Sequence, residues 1–225
     1  MERSFWQQPI DAYCERADPS FWSEPVNALT NGAFLLAAIA AGLIWLRAPR
    51  RDWLVAVLIA LTFAVGIGSF LFHTIATRWA ALADVLPIAL FIIVYFFLAM
   101  WRYLELPLWA ALAVTALFQG LSMMVPGLWL DFARAQFGYD PLNGSAGYLP
   151  AAAAMIVVGA LVWRCKPAVG RALVGIGGLF VVSLTFRSID TLVCGALPLG
   201  THFLWHLANG LVLFLLLRVA LPRPA

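Results

Sequence analysis

The 225-residue sequence is too apolar for a water-soluble domain. Of its residues 64% are hydrophobic and 11% are charged, and the mean hydropathy is +0.92, whereas soluble domains carry roughly 25% charged residues. Such a chain cannot cover its surface with polar groups, so we predict a multi-pass membrane protein. The net charge of +3 does not indicate a nucleic-acid partner, because the basic residues lie between apolar segments and form no patch.

Seven apolar runs predict an all-α, seven-transmembrane helix bundle, since most of them reach the ~20 residues that a bilayer requires. The predicted spans are 26–46, 53–72, 81–100, 108–124, 148–163, 172–193 and 201–219. Residues 1–25 form an acidic loop before the bundle, and residues 126–147 form a longer mixed connection. The whole chain, 1–225, is predicted to be a single membrane domain.

The basic residues predict an orientation for this bundle, because cytoplasmic loops are enriched in Lys and Arg. Nine of the 14 basic residues fall on one side, which is therefore predicted to be cytoplasmic: Arg47, Arg50, Arg51, Arg102, Arg164, Lys166, Arg171, Arg218 and Arg223. The N-terminus is then predicted to lie outside and the C-terminus inside.

The chain has three histidines, and the predicted topology places all of them at one level of the membrane. His202 and His206 begin the last span, and their four-residue spacing puts both imidazoles on one helix face. His73 ends the second span on the same outer side. Three imidazoles with one open coordination position are typical of catalytic zinc, so we predict a metal site at these residues. Other transition metals also bind histidine, and helix caps or interface anchors are the structural alternative.

Two further residues, Asp84 and Ser69, are predicted to assist catalysis at this metal. Asp84 is a carboxylate inside an apolar span, which is costly and therefore indicates a function; it would accept and return a proton or orient a ligand imidazole. Ser69 lies one helical turn before His73, where its hydroxyl would hydrogen-bond the metal-bound water or a developing oxyanion. A small helix-packing residue is the alternative for Ser69.

Four acids in the N-terminal loop form a second cluster: Asp11, Glu15, Asp18 and Glu24. Clustered carboxylates suit a hard cation, above all calcium, although the spacing is not that of an EF-hand. The alternative is a solvated acidic loop. Asn27 and Asn31 continue the helical face of Glu24, so their amides are predicted to link the loop to the bundle.

Two of the three cysteines, Cys14 and Cys194, are predicted on the outer side, where oxidation is possible. A disulfide between them would connect the N-terminal loop to the sixth span, and three free thiols are the alternative. Cys165 is predicted to be cytoplasmic and reduced.

Taken together, these motifs resemble the alkaline ceramidases, which belong to a superfamily of seven-helix membrane hydrolases that includes adiponectin-receptor-like proteins. The resemblance spans the chain and is carried by Tyr13-Cys14-Glu15, Glu24-Pro25-Val26-Asn27, Asn31, Ser69-Phe70-Leu71-Phe72-His73, Asp84-Val85-Leu86-Pro87, Ile189-Asp190, Cys194 and His202-Phe203-Leu204-Trp205-His206. The N-terminal loop departs from the family pattern of Asp-Trp-Cys-Glu followed closely by Asn: Tyr13 replaces the Trp, and Asp11 lies one residue further upstream.

This resemblance implies a zinc-dependent amidase that cleaves the N-acyl bond of ceramide, or of a ceramide-like lipid, to a sphingoid base and a fatty acid. It implies zinc at the three histidines, assisted by Ser69 and Asp84, and it supports the Cys14–Cys194 disulfide. It also implies calcium at Glu15 and Glu24, with further ligands expected from Asp11, Asp18 and the carbonyl of Tyr13. The Ala- and Arg-rich composition suggests a bacterial inner membrane, with the metal site on the periplasmic side.

Two other classes of function fit the sequence less closely. A lipid-binding receptor or sensor would use the metal as a structural element, with a fourth protein ligand closing the site. A transporter would have ionisable residues through the bilayer midplane. In the predicted topology most of the acidic residues of this chain, Asp84 and Asp190 among them, lie in the outer half.

Overall fold

The structure is a computed structural model that describes residues 4–221. Within this range the regular structure is helical, apart from one isolated antiparallel bridge between Pro9 and Thr77. The α-helices are α1 (Pro25–Thr30), α2 (Gly32–Arg47), α3 (Trp53–Ile75), α4 (Arg78–Leu98), α5 (Leu108–Phe137), α6 (Leu149–Val162), α7 (Pro167–Val193) and α8 (His202–Ala220). A π-helical turn, Ala99–Tyr103, continues α4, and short 3-10 helices cover Phe5–Gln7 and Ser145–Tyr148.

Seven helical segments in residues 4–221 are long and apolar enough to cross a membrane, which confirms the predicted all-α, multi-pass class. They are 18 to 30 residues long, and α1 and α2 together make the first of them, Pro25–Arg47, against the ~20 residues that a bilayer requires. Large apolar side chains remain exposed on them, Trp109, Leu117 and Met123 of α5 among these. Lipid would cover such a surface, because water would disfavour an apolar area of this extent.

The helix α5 is longer than the sequence predicts, and the expected end at residue 124 is wrong. The helix continues through Pro126 to Phe137. A proline inside a helix removes one backbone hydrogen bond and bends the chain, but it does not oblige the helix to end. The end is set instead by Gly138, whose φ of 77° is the left-handed conformation that terminates helices.

The first span is interrupted at Asn31, between α1 and α2. The Thr30 hydroxyl donates to the Val26 carbonyl, and the Asn31 amide donates to the Asn27 carbonyl, both at 2.8 Å. Side chains that occupy backbone carbonyls in this way compete with the helical hydrogen bonds. The sequence predicts one continuous helix here because its apolar pattern does not register this local competition.

The described chain forms two compact units, residues 4–91 with 190–221, and residues 92–189. In the first unit α2 packs against α3 and α8, and α1 contacts both α3 and α8. The N-terminal segment lies over the turn between α3 and α4, where the Ile10 N–H donates to the Ala76 carbonyl at 2.8 Å. Tyr13 then packs with Phe72 and Ala80 in a buried cluster. Residues 4–25 of the predicted acidic loop therefore pack as part of the first unit.

In the second unit a turn around Asp140 connects α5 to α6. The Asp140 carboxylate accepts from the Trp129 indole at 2.8 Å and from the backbone N–H groups of Leu142 and Gly144 at 3.0 and 2.8 Å. Burial alone would raise the pKa of Asp140, but these hydrogen bonds outweigh it and hold the pKa below its ordinary value. The ionised carboxylate of Asp140 thus stabilises the turn within residues 126–147, a region for which the sequence predicts no regular structure.

In the first unit, Gly68 brings α3 unusually close to α4. A Cβ atom at Gly68 would lie 2.1 Å from the Ala83 carbonyl oxygen and 3.1 Å from Asp84 Cα. Only a residue without a side chain allows this approach. The contact sets Asp84 beside the stretch of α3 that carries Ser69.

Replacing Gly68 with alanine is expected to destabilise the protein, because the backbone of α4 would have to move away from the added methyl group. We expect a loss of about 1–3 kcal/mol, typical of overpacking a close contact, measured by thermal unfolding in detergent. Gly120→Ala is the matched control, because no atom lies within 4 Å of a Cβ at that helical position. Equal stability of the two variants would contradict the close approach.

Candidate metal centre

The three histidines come together in the first unit, at the end of α3 and the start of α8. One potential ligand atom from each of His73, His202 and His206 lies within 4.8 Å of the others, and all three residues are buried. The ring centroids are separated by 4.6 to 5.1 Å. Three buried imidazoles at this spacing fit one transition-metal ion. The predicted convergence of the three residues is therefore found in the structure.

One ring nitrogen of His73 contacts Glu24, and the other has no hydrogen-bond partner. Its Nδ1 lies 2.6 Å from Glu24 Oε2, while its Nε2 is buried and has no hydrogen-bond partner. A carboxylate accepts only, so Nδ1 carries the proton of this hydrogen bond, and in the neutral ring Nε2 is the nitrogen with the lone pair that can bind a metal. A buried acceptor without a partner is costly, and a metal ion would remove that cost.

His206 is oriented in the same way by Thr30. Its Nδ1 lies 2.9 Å from the Thr30 hydroxyl, and its Nε2 is a buried ring nitrogen. Because the hydroxyl already donates to the Val26 carbonyl at 2.8 Å, it is positioned to accept the proton of Nδ1. Hydrogen bonds of this kind fix the tautomer and the ring orientation of histidine ligands.

His202 is held through its ring by Tyr13 and through its backbone by Asp190. The two rings are stacked, with centroids 3.6 Å apart and an interplanar angle of 20°. The His202 N–H donates to Asp190 Oδ1 at 2.9 Å. The ring of Tyr13 therefore packs against a candidate metal ligand, His202. The sequence analysis does not predict this role for the Tyr13 ring.

Asp190 joins the beginning of α8 to the N-terminal segment. It is fully buried. Its Oδ1 accepts from the Thr201 N–H at 2.6 Å, and its Oδ2 accepts from the Cys14 N–H at 3.0 Å. Gly200, at a φ of 64°, makes room for this carboxylate, because a Cβ atom there would lie 2.0 Å from Oδ1. A negative charge at a helix N-terminus is stabilising, so Asp190 fixes where α8 begins.

The predicted disulfide between Cys14 and Cys194 is present, with Cα atoms 5.2 Å apart. It links the N-terminal segment to the end of α7, next to Asp190. Cys165 is a free, exposed cysteine. The covalent bond and the Asp190 hydrogen bonds therefore hold the same two segments together.

Glu24 is a central buried carboxylate of the site. Besides His73 it accepts from Arg16 Nε at 2.5 Å and from the Asn27 amide at 3.1 Å. Burial alone would raise the pKa of Glu24, but the hydrogen bond and charge of His73, together with the charge and hydrogen bond of Arg16, outweigh it and lower the pKa below its ordinary value. Glu24 is thus held as a carboxylate beside His73, a candidate metal ligand.

The other predicted calcium ligands do not gather around a common point. Glu15 accepts from the Val26 and Asn27 N–H groups at 2.6 and 2.7 Å, capping α1. Asp18 is exposed, and hydrogen bonds from Ser20 lower its pKa. Asp11 is exposed. In residues 4–221 the three histidines are the only group of three or more His, Cys, Asp or Glu side chains close enough to share an ion, so these acids do not fit a calcium site.

Both amides predicted to connect the loop with the bundle are buried. Asn27 donates to Glu24 as described, and Asn31 donates to the Asn27 carbonyl at 2.8 Å. Each also keeps a buried side-chain oxygen without a hydrogen-bond partner. The amides therefore extend the polar interior from Glu24 toward the break between α1 and α2.

Ser69 and Asp84 lie on facing stretches of α3 and α4. Ser69 is buried one helical turn before His73. Asp84 is half-buried, with a buried Oδ1, and its Cα faces Gly68, the residue before Ser69. The structure thus places Ser69 on the helix that carries His73, and Asp84 on the neighbouring helix where that helix approaches Gly68.

Sequence reasoning missed the supporting roles of Thr30, Arg16 and Asp190. A signal exists for two of them, since Thr30 and Asp190 are polar residues within apolar spans, which is costly without a purpose. Arg16 carries no such signal, because an arginine in a polar loop is ordinary. Its partners become apparent only when the N-terminal segment folds over α3.

No protein-family model matches this sequence, and no curated protein matches it significantly. The functional assignment therefore depends on the residues and their arrangement.

Thr30→Val is expected to weaken metal binding about tenfold, because it removes the hydrogen bond to His206 while keeping the side-chain shape. Competition with a chromophoric chelator measures the zinc affinity of the purified protein. Thr62→Val is the matched control, since the Thr62 hydroxyl donates only to the Leu58 carbonyl of its own helix. Equal affinities of the two variants would show that Thr30 does not orient His206.

Proposed function

We propose that this protein is a zinc-dependent integral-membrane amidase that hydrolyses the N-acyl bond of ceramide or a ceramide-like lipid, releasing a sphingoid base and a fatty acid. The observation that carries the proposal is the buried group of His73, His202 and His206, whose ligand atoms lie within 4.8 Å of one another. It lies in an all-helical protein with seven apolar spans. Its substrate is therefore expected to be a lipid.

The donor set fits zinc because the neighbours of two of the imidazoles hold their Nδ1 atoms and leave the Nε2 atoms available to an ion. Glu24 and Thr30 hold the Nδ1 atoms of His73 and His206, the arrangement by which histidine ligands are oriented. When bound, zinc would polarise the substrate carbonyl and lower the pKa of a water molecule.

Asp84 and Ser69 are proposed to handle the proton and the developing charge. The Asp84 carboxylate would take a proton from the attacking water and return it to the leaving amine. The Ser69 hydroxyl would donate a hydrogen bond to the oxyanion that develops on the carbonyl. The contact at Gly68, which brings α4 within reach of this part of α3, supports their cooperation.

A membrane position on the periplasmic side of a bacterial inner membrane completes the proposal. The distribution of basic residues supports this orientation. The acyl chains would lie among apolar helices, and the polar amide would reach the histidine end of the bundle.

The alternative, a lipid-binding receptor with a structural metal, is less well supported. A structural zinc site uses four protein ligands, whereas a catalytic site keeps one position open. In the described part of the chain, the potential metal group contains three side chains and no fourth His, Cys, Asp or Glu. This count favours catalysis.

The test is the release of fatty acid from a panel of N-acylated lipids by the purified protein. We expect hydrolysis of a ceramide-like substrate that a zinc chelator abolishes and added zinc restores. His73→Ala is expected to lose both the bound metal, measured by elemental quantification, and the activity. Full hydrolysis by a metal-free His73→Ala protein would exclude the zinc mechanism.

Asp84→Asn separates the enzyme from the receptor within the same experiment. It is expected to lower kcat by about 10²–10⁴-fold while lipid binding and zinc content remain. Asp131→Asn, at an exposed position, is the control for removing a carboxylate. If no lipid in the panel is hydrolysed but one binds saturably with zinc present, the receptor is correct and the amidase is not.

A further inference from the structure

The guanidinium of Arg16 is buried between the N-terminal segment and the end of α3. Its side chain and that of Glu24 are 5% and 3% exposed. Arg16 Nε donates to Glu24 Oε1 at 2.5 Å, Nη1 to the Asp18 carbonyl at 3.2 Å, and Nη2 to the His73 carbonyl at 3.0 Å. All three guanidinium nitrogens thus have an oxygen partner.

These partners are the kind of oxygens that surround a hard cation. One carboxylate and two backbone carbonyls, from the N-terminal loop and the end of α3, resemble the donors of a calcium site. Here they surround a charge that belongs to the protein itself. Arginine is permanently ionised, and its planar fork matches several acceptors at once, so it is suited to a fixed role of this kind.

Two further acids of the loop, Glu15 and Asp18, are already engaged by hydrogen bonds within the protein. Both oxygens of Glu15 accept backbone N–H groups at the start of α1. Asp18 contributes its backbone carbonyl to Arg16, while its exposed carboxylate binds the Ser20 N–H at 2.7 Å. The positive charge that the loop requires is already present.

We propose that Arg16 is a built-in substitute for a bound calcium ion, so that the N-terminal loop is calcium-independent, and that it positions His73 through Glu24. Arg16 holds one oxygen of Glu24, and the other oxygen holds His73 Nδ1. The same guanidinium also binds the backbone carbonyl of His73. Arg16 is therefore a positioning residue, which contacts the side chain of His73 through Glu24 and the backbone of His73 directly. The resemblance to the alkaline ceramidases implies calcium here, and the geometry assigns that role to a side chain.

The first test needs no variant and no enzyme activity, so its outcome is independent of the proposed hydrolysis. The purified wild-type protein is analysed for bound calcium, and its thermal midpoint is followed while CaCl₂ is raised to ~1 mM, in the range where extracellular modules bind calcium. MgCl₂ at equal ionic strength is the control. We expect no stoichiometric calcium and no shift beyond that of magnesium. One equivalent of calcium, or a saturable calcium-specific shift, would overturn the proposal.

The second test removes the charge. Arg16→Gln leaves Glu24 buried without its guanidinium partner, so we expect the thermal midpoint to fall by roughly 6 °C or more. Arg16→Lys keeps the charge and is expected to restore at least half of that loss. Arg50→Gln is the matched control, because Arg50 is exposed in the loop between α2 and α3. Losses at Arg16→Gln no larger than those at Arg50→Gln, or equal losses for Gln and Lys at position 16, would contradict the role of the charge.

A third readout distinguishes positioning from general stability. At a temperature where each variant is folded, Arg16→Gln is expected to bind Co²⁺ with an altered visible spectrum, because His73 is no longer fixed, whereas Arg16→Lys retains the wild-type spectrum. Identical spectra for wild type and Arg16→Gln would show that Arg16 does not position His73.

Discussion

The site depends on keeping one carboxylate, Glu24, ionised inside an apolar helical protein. A buried charge without partners is prohibitively costly. Three donors surround this one: the Arg16 guanidinium, the Asn27 amide and His73 Nδ1. The hydrogen bonds to the two carboxylate oxygens of Glu24 therefore hold the N-terminal segment, α1 and α3 together.

A second buried carboxylate, that of Asp190, fixes the beginning of α8. Asp190 is fully buried and accepts backbone N–H groups from Thr201, His202 and Cys14. The first turn of a helix leaves N–H groups without partners, and here a residue of α7 supplies the missing acceptor. The helix that provides two of the three histidines is thereby fixed relative to the segment that covers them. The disulfide at Cys14 reinforces the same connection.

The resulting centre combines rigid ligands with a separate polar pair. Glu24 and Thr30 set the rings of His73 and His206, and Tyr13 stacks on His202. Asp84 and Ser69 instead depend on the close approach of α3 and α4 at Gly68. The proposed ligand orientation and the proposed proton transfer thus depend on different contacts. Substitutions can therefore test metal binding and turnover separately.

The sequence by itself determined the helical membrane class, the three histidines and the cysteine pair. Apolar length specifies a span, and the four-residue spacing of His202 and His206 specifies a shared face, so both are local properties of the chain. Only the tertiary structure decided the partner of each ring, the position of Arg16 and the length of α5. The Arg16 contacts join residues up to 57 positions apart. A charge in a loop has many possible partners, and burial selects among them only after the segments have packed.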